Sequence, residues 1–480
     1  MGMKMPADFK VSGVKGWDQM NRFRHDLILM ITDIISIAIM TLLFGICWIE
    51  HYAFRVYLPF HFRGNCFVIA MFCLLYYLLS NAYDAFEIVV HGKMEAIYSQ
   101  GLSLLMSNGI MYCLVCLLER KLADPRPLIG LFAVQFLIAA LWITIKEKHY
   151  FAACPPKRSA VVYSVHDDVS RLIKQYRLQK EFSIRFETDA ATCMKDLSVL
   201  DDVEVVFLND VRSIDRNEIL KYCVERDIEV YMTPRIGDTI MSSARSIHMF
   251  HLPMLLVERY RPSPLYLFAK RCFDIFASLV AITVLSPVLL VTAIAIKLND
   301  GGPVIYTQER LTKNAKRFKI YKFRSMRVDA EKDGVARLST GDQDDRITSV
   351  GRFIRKVRID ELPQLFNILK GDLSVVGPRP ERPEIAAQYE KGMPEFRLRL
   401  QAKAGLTGYA QVYGKYNTRP YDKLKMDLIY ISHPSVVEDL RICFATVKIL
   451  FMPESTEGFT EEQHTAIEES APVQLVSDGK

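Results

Sequence analysis

The sequence lacks the glycine-rich turn with which many α/β proteins bind dinucleotides. Such a turn reads G-x-G-x-x-G after the first strand, because glycines let the backbone approach a pyrophosphate. In this chain of 480 residues the corresponding segment, residues 163–168, reads Y-S-V-H-D-D and contains no glycine. The absence argues against NAD or CoA binding. It also argues against a membrane-anchored epimerase or dehydrogenase.

The sequence also lacks a disulfide framework, a zinc motif and a cleavable signal peptide. Cys113 and Cys116 form one C-x-x-C pair inside an apolar run without a second pair, so we expect them to pack as small hydrophobic residues. The first 25 residues are polar and no small-residue cleavage site follows a short apolar core. These absences fit a cytosolic location for the thiols outside the apolar runs.

Long apolar runs are abundant. Hydrophobic residues make up 50% of the chain and the mean hydropathy is +0.10. The runs are 27–48, which carries only Asp33, and 67–79, 101–118, 128–145 and 275–296, which carry no charge. Each can be extended to about 17–25 residues, the length of a membrane span. We therefore expect four transmembrane helices in the first 150 residues.

Basic residues flank the first four runs on one side. They are Lys4, Lys10, Lys15, Arg22 and Arg24 before the first run, and Lys146, Lys148, Lys157 and Arg158 after the fourth. Four spans place both groups on the same face, which the positive-inside rule makes cytoplasmic. The sequence therefore predicts a multi-pass protein of the bacterial inner membrane with everything after about residue 150 in the cytosol.

Strands and helices alternate after the fourth run. Residues 160–164, 203–208 and 228–232 are typical of short buried strands, and 168–176 and 217–226 of helices. This alternation predicts a small Rossmann-like α/β domain with a parallel sheet, lacking the glycine-rich fingerprint. We interpret it as a structural or regulatory spacer.

The fifth apolar run, 275–296, contains Ser286 and Pro287 near its middle. Proline removes a helical hydrogen bond and clashes with the preceding turn. Either the run crosses the membrane, or it enters and leaves by one face as a helix–break–helix. Lys270 and Arg271 before it and Lys297 after it favour the re-entrant geometry.

The predicted fold class is thus a membrane protein of mixed α and β structure with six segments. They are an N-terminal cytoplasmic segment 1–26, a four-helix transmembrane region 27–149, the α/β domain 150–258, a linker with the re-entrant helix 259–298, a C-terminal catalytic domain 299–453 and an acidic disordered tail 454–480.

The net charge of +6 is unevenly distributed. Residues 304–360 hold 15 Lys and Arg against 8 Asp and Glu. A basic region beside membrane segments suggests an anionic lipid or a phosphorylated substrate. No recognisable nucleic-acid module accompanies it, so we expect no nucleic-acid partner.

The most informative segment is residues 358–372, in which Asp360 and Glu361 are adjacent. Asp360 suits the N-cap of a helix, Pro363 its first turn and Gly371 its C-terminal end. A helix N-terminus favours a phosphate. A carboxylate there can attack phosphorus while its neighbour binds a divalent cation. Alternatively, Asp360 only caps the helix and Glu361 only faces water.

Cations accumulate before this pair. Residues 304–308 and 318–323 predict a hairpin joined by the basic loop 310–317, and the hairpin ends in K-F-R-S-M at residues 322–326. The cations that follow before Asp360 include Arg346, Arg352, Arg355, Lys356 and Arg358. A pyrophosphate needs such cations to screen its charge from an attacking carboxylate.

In this order the segments resemble the bacterial sugar transferase family, the monotopic phosphoglycosyl transferases. The matching motifs are K-R at 270–271, S-P at 286–287, K-F-R-S-M at 322–326, D-R-I-T at 345–348, D-E-L-P-Q at 360–364, G-P-R-P-E-R-P at 377–383 and G-L-T-G at 405–408. The resemblance covers roughly residues 265–452. The preceding spans and α/β domain resemble the large form of the family by architecture.

The resemblance implies transfer of hexose-1-phosphate from a UDP-hexose to undecaprenyl phosphate, with release of UMP and initiation of exopolysaccharide or capsule synthesis. Glucose or galactose is the hexose that it favours. It implies that Asp360 is the nucleophile, forming an aspartyl-phosphosugar intermediate, and that Glu361 binds Mg²⁺.

The resemblance and the charge pattern also imply the residues that contact the substrate. They are Lys322, Arg324, Arg358 and Arg379 at the phosphates or nucleotide and Lys270 and Arg271 at the membrane interface. Ser286 and Pro287 would shape the re-entrant helix. The implied partners are membrane lipids and downstream glycosyltransferases, and a homodimer stays open. A catalytically silent scaffold or regulator of polysaccharide assembly is the alternative function.

Overall fold

The computed structural model describes residues 13–88, 92–164, 169–176, 178–327, 346–414 and 418–450. Among these the chain forms two compact units that divide between Thr233 and Pro234. The expected tail and the D-R-I-T motif's Asp345 lie outside the described residues. The predicted segment bounds stay predictions.

Four long helices open the first unit. They are α1 (Gly13–Cys47), continued by a π-helical turn (Trp48–Tyr52), α2 (Phe62–Ala82), α3 (Lys93–Glu119) and α4 (Arg126–Ala153). All four contain stretches long and apolar enough to cross a membrane. With a fifth such helix in the second unit, they support a membrane protein of mixed helix and sheet.

Polar contacts join these apolar helices to one another. Asn108 of α3 donates to Oε1 of Gln135 in α4 at 2.8 Å, and Gln135 donates to the carbonyl oxygen of Met40 in α1 at 3.1 Å. Lys146 of α4 pairs with Asp33 of α1. Apolar contact alone distinguishes poorly between helix and lipid, so hydrogen bonds of this kind fix helix pairing.

A four-stranded parallel sheet follows in the same unit. Its strands are β1 (Lys157–Tyr163), β2 (Phe182–Asp189), β3 (Val205–Asn209) and β4 (Glu229–Met232), in the order β2-β1-β3-β4. The connecting helices are α5 (Val169–Gln175), the short α6 (Ala190–Cys193) and α7 (Ser213–Glu225). The sheet is parallel, as the alternation of strands and helices predicted.

The sequence pattern missed strand β2 at the sheet edge. Its charged residues Arg185 and Glu187 break the apolar run that marks the buried strands. An edge strand pairs through its backbone whatever faces the solvent, so β2 forms by pairing with β1 in parallel register.

The second unit begins with α8 (Ile236–Ser242) and a hairpin, β5 (Arg245–Met249) and β6 (Leu252–Leu256). Ile236 packs in one cluster with Leu424 and Leu428. These residues lie within the range expected for the α/β domain, yet they belong to the compact unit that carries the C-terminal elements.

Helix α9 (Pro264–Asp300) corrects one prediction. Its 37 residues are helical without interruption, so Ser286 and Pro287 do not separate two helices. The hydroxyl of Ser286 donates to the carbonyl oxygen of Thr283 at 2.8 Å, a contact that remains within the helix. Because a proline removes only one backbone donor, the neighbouring turns can continue the helix around it.

Both ends of α9 contact the same unit. Near its start, Arg271 donates to the carbonyl oxygens of Ile368 and Leu369 at 2.7 and 2.8 Å. Near its end, Ile296 packs with Phe323 and Ile354. Between these ends, Ala281 packs against the cluster that contains Phe318 and Ile320, whereas other apolar side chains, among them Phe276 and Leu290, are exposed.

The remaining elements surround these contacts. They are β7 (Ile305–Leu311) and β8 (Arg317–Phe323), which form the expected hairpin, α10 (Ser349–Lys356), a 3-10 turn (Ile359–Glu361), α11 (Gln364–Lys370), β9 (Ser374–Val376), α12 (Pro383–Gly392), a 3-10 segment (Pro394–Gln401), β10 (Gly405–Thr407), α13 (Tyr409–Val412), α14 (Pro420–Ser432) and α15 (Val436–Leu450).

Candidate active site

The Asp360–Glu361 pair lies in a 3-10 turn ahead of α11. Arg358, just before it, has φ 54°, in the left-handed region. The expectation that Asp360 caps the helix is wrong, since Pro363 occupies the N-cap position. Gly371 ends α11 with φ 90°, as expected. Arg358, a non-glycine residue with positive φ, therefore carries backbone strain that the neighbouring structure must stabilise.

Glu361 is held by two cations. Lys322 of β8 donates to Oε1 of Glu361 at 2.8 Å, and Nη2 of Arg379 lies 3.4 Å from the same oxygen. The Glu361 side chain is only 15% exposed. Burial alone would raise its pKa, but Lys322 and Arg379 outweigh burial and hold the pKa well below its usual range. Glu361 is therefore an anion at any physiological pH.

Asp360 has the opposite electrostatic character. Burial, followed by repulsion from Glu361, raises the pKa of its carboxyl to about 6. Lys322, Arg355 and Arg358 moderate this rise by favouring the anion. Two adjacent carboxylates with separated pKa values are typical of catalytic pairs that perform different tasks.

Asn367 joins the helix behind the pair to the strand that carries Lys322. Its fully buried side chain accepts from the backbone N–H of Tyr321 at 2.9 Å and donates to the carbonyl oxygen of Lys319 at 2.8 Å. The amide thus replaces a neighbouring strand along the edge of β8. This contact determines the separation between Lys322 and Glu361.

Two arginines contact the loop that carries Arg379 and fix its position. Arg399 donates to the carbonyl oxygen of Arg379 at 2.9 Å and pairs with Asp427 at 2.7 Å. Arg310 pairs with Glu381 at 3.2 Å. Burial lowers the pKa of Arg310 to about 10, which leaves it charged at neutral pH.

Glycines make this loop compact. A Cβ atom at Gly377 would overlap the carbonyl oxygen of Lys403, and one at Gly405 would overlap Gly377. The backbones of β9 and β10, which flank the loop, therefore approach more closely than side chains allow.

The structure gives protein partners to the predicted interfacial cations. Lys270 donates to Oδ2 of Asp439 at 2.9 Å and to the hydroxyl of Tyr430 at 3.1 Å. Arg271 binds the C-terminal carbonyls of α11, as described above. Their expected contact with substrate phosphates stays a prediction.

The other predicted site residues lie at different places in the second unit. Arg358 adjoins the carboxylate pair, whereas Arg324 is buried, its guanidinium against Gly302, where an added Cβ would overlap it. Ser286 and Pro287 lie in α9. Among the described residues, Lys322, Glu361 and Arg379 share one cleft with an empty volume of about 250 Å³.

Sequence reasoning missed Asn367, Arg310 and Arg399. Each acts through a backbone group or carboxylate far along the chain, so no local spacing indicates it. A buried polar residue within an otherwise apolar helical face, as in L-F-N-I-L at 365–369, is the one local signal for Asn367.

A divalent cation would find hard oxygen ligands in Asp360 and Glu361. Within the described ranges no group of three His, Cys, Asp or Glu side chains forms a closed metal site. Mg²⁺ commonly uses one or two carboxylates together with substrate phosphates and water. The donor set therefore fits Mg²⁺ held jointly with a phosphorylated ligand.

Comparison with known proteins places the match in the second unit. Residues 265–453 match the profile of a family described as bacterial sugar transferase. The exopolysaccharide production protein PSS of Rhizobium leguminosarum bv. phaseoli is 46% identical over 187 residues, which are 37% of this chain and 92% of that protein.

Two further relatives carry more explicit names. The UDP-N-acetylgalactosamine-undecaprenyl-phosphate N-acetylgalactosaminephosphotransferase of Aeromonas hydrophila is 40% identical over 236 residues, 48% of this chain and 54% of its own length. The putative undecaprenyl-phosphate N-acetylgalactosaminyl 1-phosphate transferase of Bacillus subtilis is 46% identical over 158 residues, 33% of this chain and 83% of its own length. The match thus spans about half of the Aeromonas protein.

Proposed function

Because the chain belongs to the bacterial sugar transferase family, we propose that it is a membrane phosphoglycosyl transferase that moves a hexose-1-phosphate from a UDP-sugar to undecaprenyl phosphate. The names of the Aeromonas and Bacillus relatives support the acceptor, and the former supports the UDP-linked donor. The name of the Rhizobium relative supports a role in exopolysaccharide production.

The proposal depends most on the different ionisation of Asp360 and Glu361. With its pKa raised to about 6, Asp360 is ionised at neutral pH yet more basic than an ordinary aspartate, which suits a nucleophile. Glu361, held ionised by Lys322 and Arg379, suits a permanent anion. A pair of surface carboxylates would have no cause for this difference.

In the proposed first step, an oxygen of Asp360 bonds to the sugar-bearing phosphorus of the donor. The bond from that phosphorus to the oxygen of UMP breaks, and UMP leaves. In the second step, a phosphate oxygen of undecaprenyl phosphate attacks the same phosphorus and displaces Asp360. Lys322 and Arg379 would offset the charge that develops on the phosphoryl oxygens.

Glu361 would hold Mg²⁺ together with the donor's phosphates. When bound, the ion would neutralise part of the diphosphate charge and so favour the approach of an anionic nucleophile. Lys322 and Arg379, which both reach the Glu361 oxygen, would supply the same kind of charge neutralisation.

We propose that α9 bends at Pro287 while remaining helical, that it is a re-entrant membrane helix, and that the catalytic unit is cytosolic. Contacts from both ends of α9 to one unit, through Arg271 and Ile296, support this geometry. A site beside such a helix would meet a lipid phosphate that cannot leave the interface and a nucleotide that cannot enter hydrocarbon. The first four apolar helices would be the transmembrane region of the large form.

The test is UMP release by the purified full-length protein in nanodiscs with undecaprenyl phosphate, Mg²⁺ and a panel of UDP-sugars. We expect release with at least one UDP-hexose, and none from Asp360→Asn. Rapid quenching with labelled donor followed by mass spectrometry should yield a peptide with a phosphosugar on residue 360. If no donor releases UMP, the silent scaffold alternative is favoured, and a label on another residue would refute Asp360 as nucleophile.

A further inference from the structure

Two buried amide residues on one helix have different surroundings. Asn367 of α11 is fully buried and both of its amide atoms bind the backbone of β8. Gln364, one turn earlier, is only 3% exposed, yet its side chain makes no hydrogen bond with another described residue. Gln364 thus presents an amide to a cleft without a partner among the described side chains, and an amide at a cleft wall can bind a ligand there.

Gln364 lines the cleft that Glu361 and Arg379 also line. On another wall of the same cleft, the Oε1 atom of Gln411 is buried and has no hydrogen-bond partner among the described residues, while its Nε2 donates to the carbonyl oxygen of Leu406 at 3.1 Å. The cleft is therefore lined by three cations, one carboxylate and two amides with unused hydrogen-bonding capacity.

The chemistry of the amides indicates the ligand group that they suit. The Oε1 atom of Gln411 can only accept, so it needs a ligand that brings an O–H or N–H. Ionised phosphate oxygens bring none. The uncharged parts of a sugar nucleotide do: sugar hydroxyls and the uracil imide each combine donors with acceptors.

We propose that Gln364 and Gln411 form a recognition site for the uncharged part of the sugar nucleotide, beside the cations that bind its phosphates. This inference rests on the proposed function and extends it, because it identifies residues that bind the donor by hydrogen bonds to a hydroxyl or imide.

The inference has an unusual consequence for stability. Replacing Gln364 by leucine removes an amide that no described group binds and keeps a similar volume, so the melting temperature should change little. Replacing Asn367 by leucine leaves two backbone groups of β8 unpaired, so its melting temperature should fall. The two variants replace amides on the same helix, one without a partner among the described residues and one with two backbone partners.

Binding is measured on full-length protein in nanodiscs in the Asp360→Asn background, so that no turnover occurs. The three probes are inorganic pyrophosphate, UMP and a UDP-hexose that the wild type uses. We expect Gln364→Leu to weaken UDP-hexose binding by about threefold to tenfold, the equivalent of one neutral hydrogen bond. Pyrophosphate binding should not change. Gln364→Met serves as a second variant, and Gln411→Met tests the other amide.

The UMP result distinguishes the two sources of hydrogen bonds. Unchanged UMP binding assigns the amides to the hexose, and equal weakening of UMP and UDP-hexose assigns them to the uridine, at its imide or its ribose hydroxyls; either result supports the site. Unchanged binding of all three probes would mean that the amides only contact water and would overturn it. An equal loss of pyrophosphate binding would also overturn it. A wild type inactive with every UDP-sugar would instead refute the proposed function.

Discussion

Lys322 and Glu361, 39 residues apart, are joined by a hydrogen bond of 2.8 Å that connects strand β8 to the carboxylate turn. Neither side chain is exposed by more than 22%. Such charge-assisted bonds are short and stronger than neutral ones. The contact makes Glu361 an anion and leaves Asp360 as the carboxylate whose ionisation varies near neutral pH.

Lys322→Met should raise the pKa of Glu361 and slow UMP release by about 100-fold, the usual effect of removing one donor from a site that stabilises developing charge. Lys322→Arg keeps the charge and should retain more activity. The measurement is kcat/KM against pH for both variants. Equal losses in the two variants would show that the charge of Lys322 is not what matters.

The rate should decline in acid because Asp360 must be ionised to attack. With a pKa of about 6, log kcat/KM should be level near pH 7.5 and fall with a slope of about one below pH 6. The control is the same profile recorded with a second donor, since the free enzyme's ionisation must be independent of the donor. A profile that stays level down to pH 5 would contradict the raised pKa.

Asp360→Asn should stabilise the protein while it abolishes activity. The pKa of Asp360 in the folded protein lies above the ordinary value of 3.8, so ionisation at neutral pH opposes folding. Removing the charge should increase the free energy of unfolding by about 1–3 kcal/mol at pH 7.5. The gain should disappear below pH 4, where the wild-type carboxyl is protonated as well. Thermal unfolding at both pH values measures the difference.

Lys270 forms a buried ion pair with Asp439, and the two side chains are 11% and 5% exposed. Lys270→Met should lower the free energy of unfolding by about 3–5 kcal/mol, because it leaves a buried carboxylate without its cation. The double variant Lys270→Met/Asp439→Leu should recover much of this loss. An increased KM for undecaprenyl phosphate with unchanged melting would instead assign Lys270 to the substrate.

Asn367→Leu should lower the free energy of unfolding by about 2–4 kcal/mol, since the N–H of Tyr321 and the carbonyl of Lys319 lose their shared partner. It should also reduce kcat, because the strand that carries Lys322 is no longer tied to the carboxylate turn. Leu365→Ala, a neighbouring substitution in the same core, provides a control for lost stability alone. An equal fall in kcat for both variants would remove the case for a positioning role.

Much of the architecture could be predicted because it depends on local patterns. Uncharged runs of sufficient length predict apolar helices, alternation of strand and helix predicts a parallel sheet, and Gly371 predicts the end of α11. Strand β2 was missed since its pairing depends on β1. The predicted helix break at Pro287 was wrong, because a helix can continue around one missing backbone N–H donor.

The sequence by itself indicated the candidate catalytic residues: two adjacent carboxylates in a basic segment beside an apolar helix. Only the tertiary structure decided how they differ, because pKa values depend on burial and on cations from other elements. Lys322 comes from β8 and Arg379 from the loop after β9. The tertiary structure likewise gave the Asn367 amide its hydrogen-bond partners and placed Gln364 at a cleft. Hydrogen-bond partners that are distant in sequence leave no local pattern.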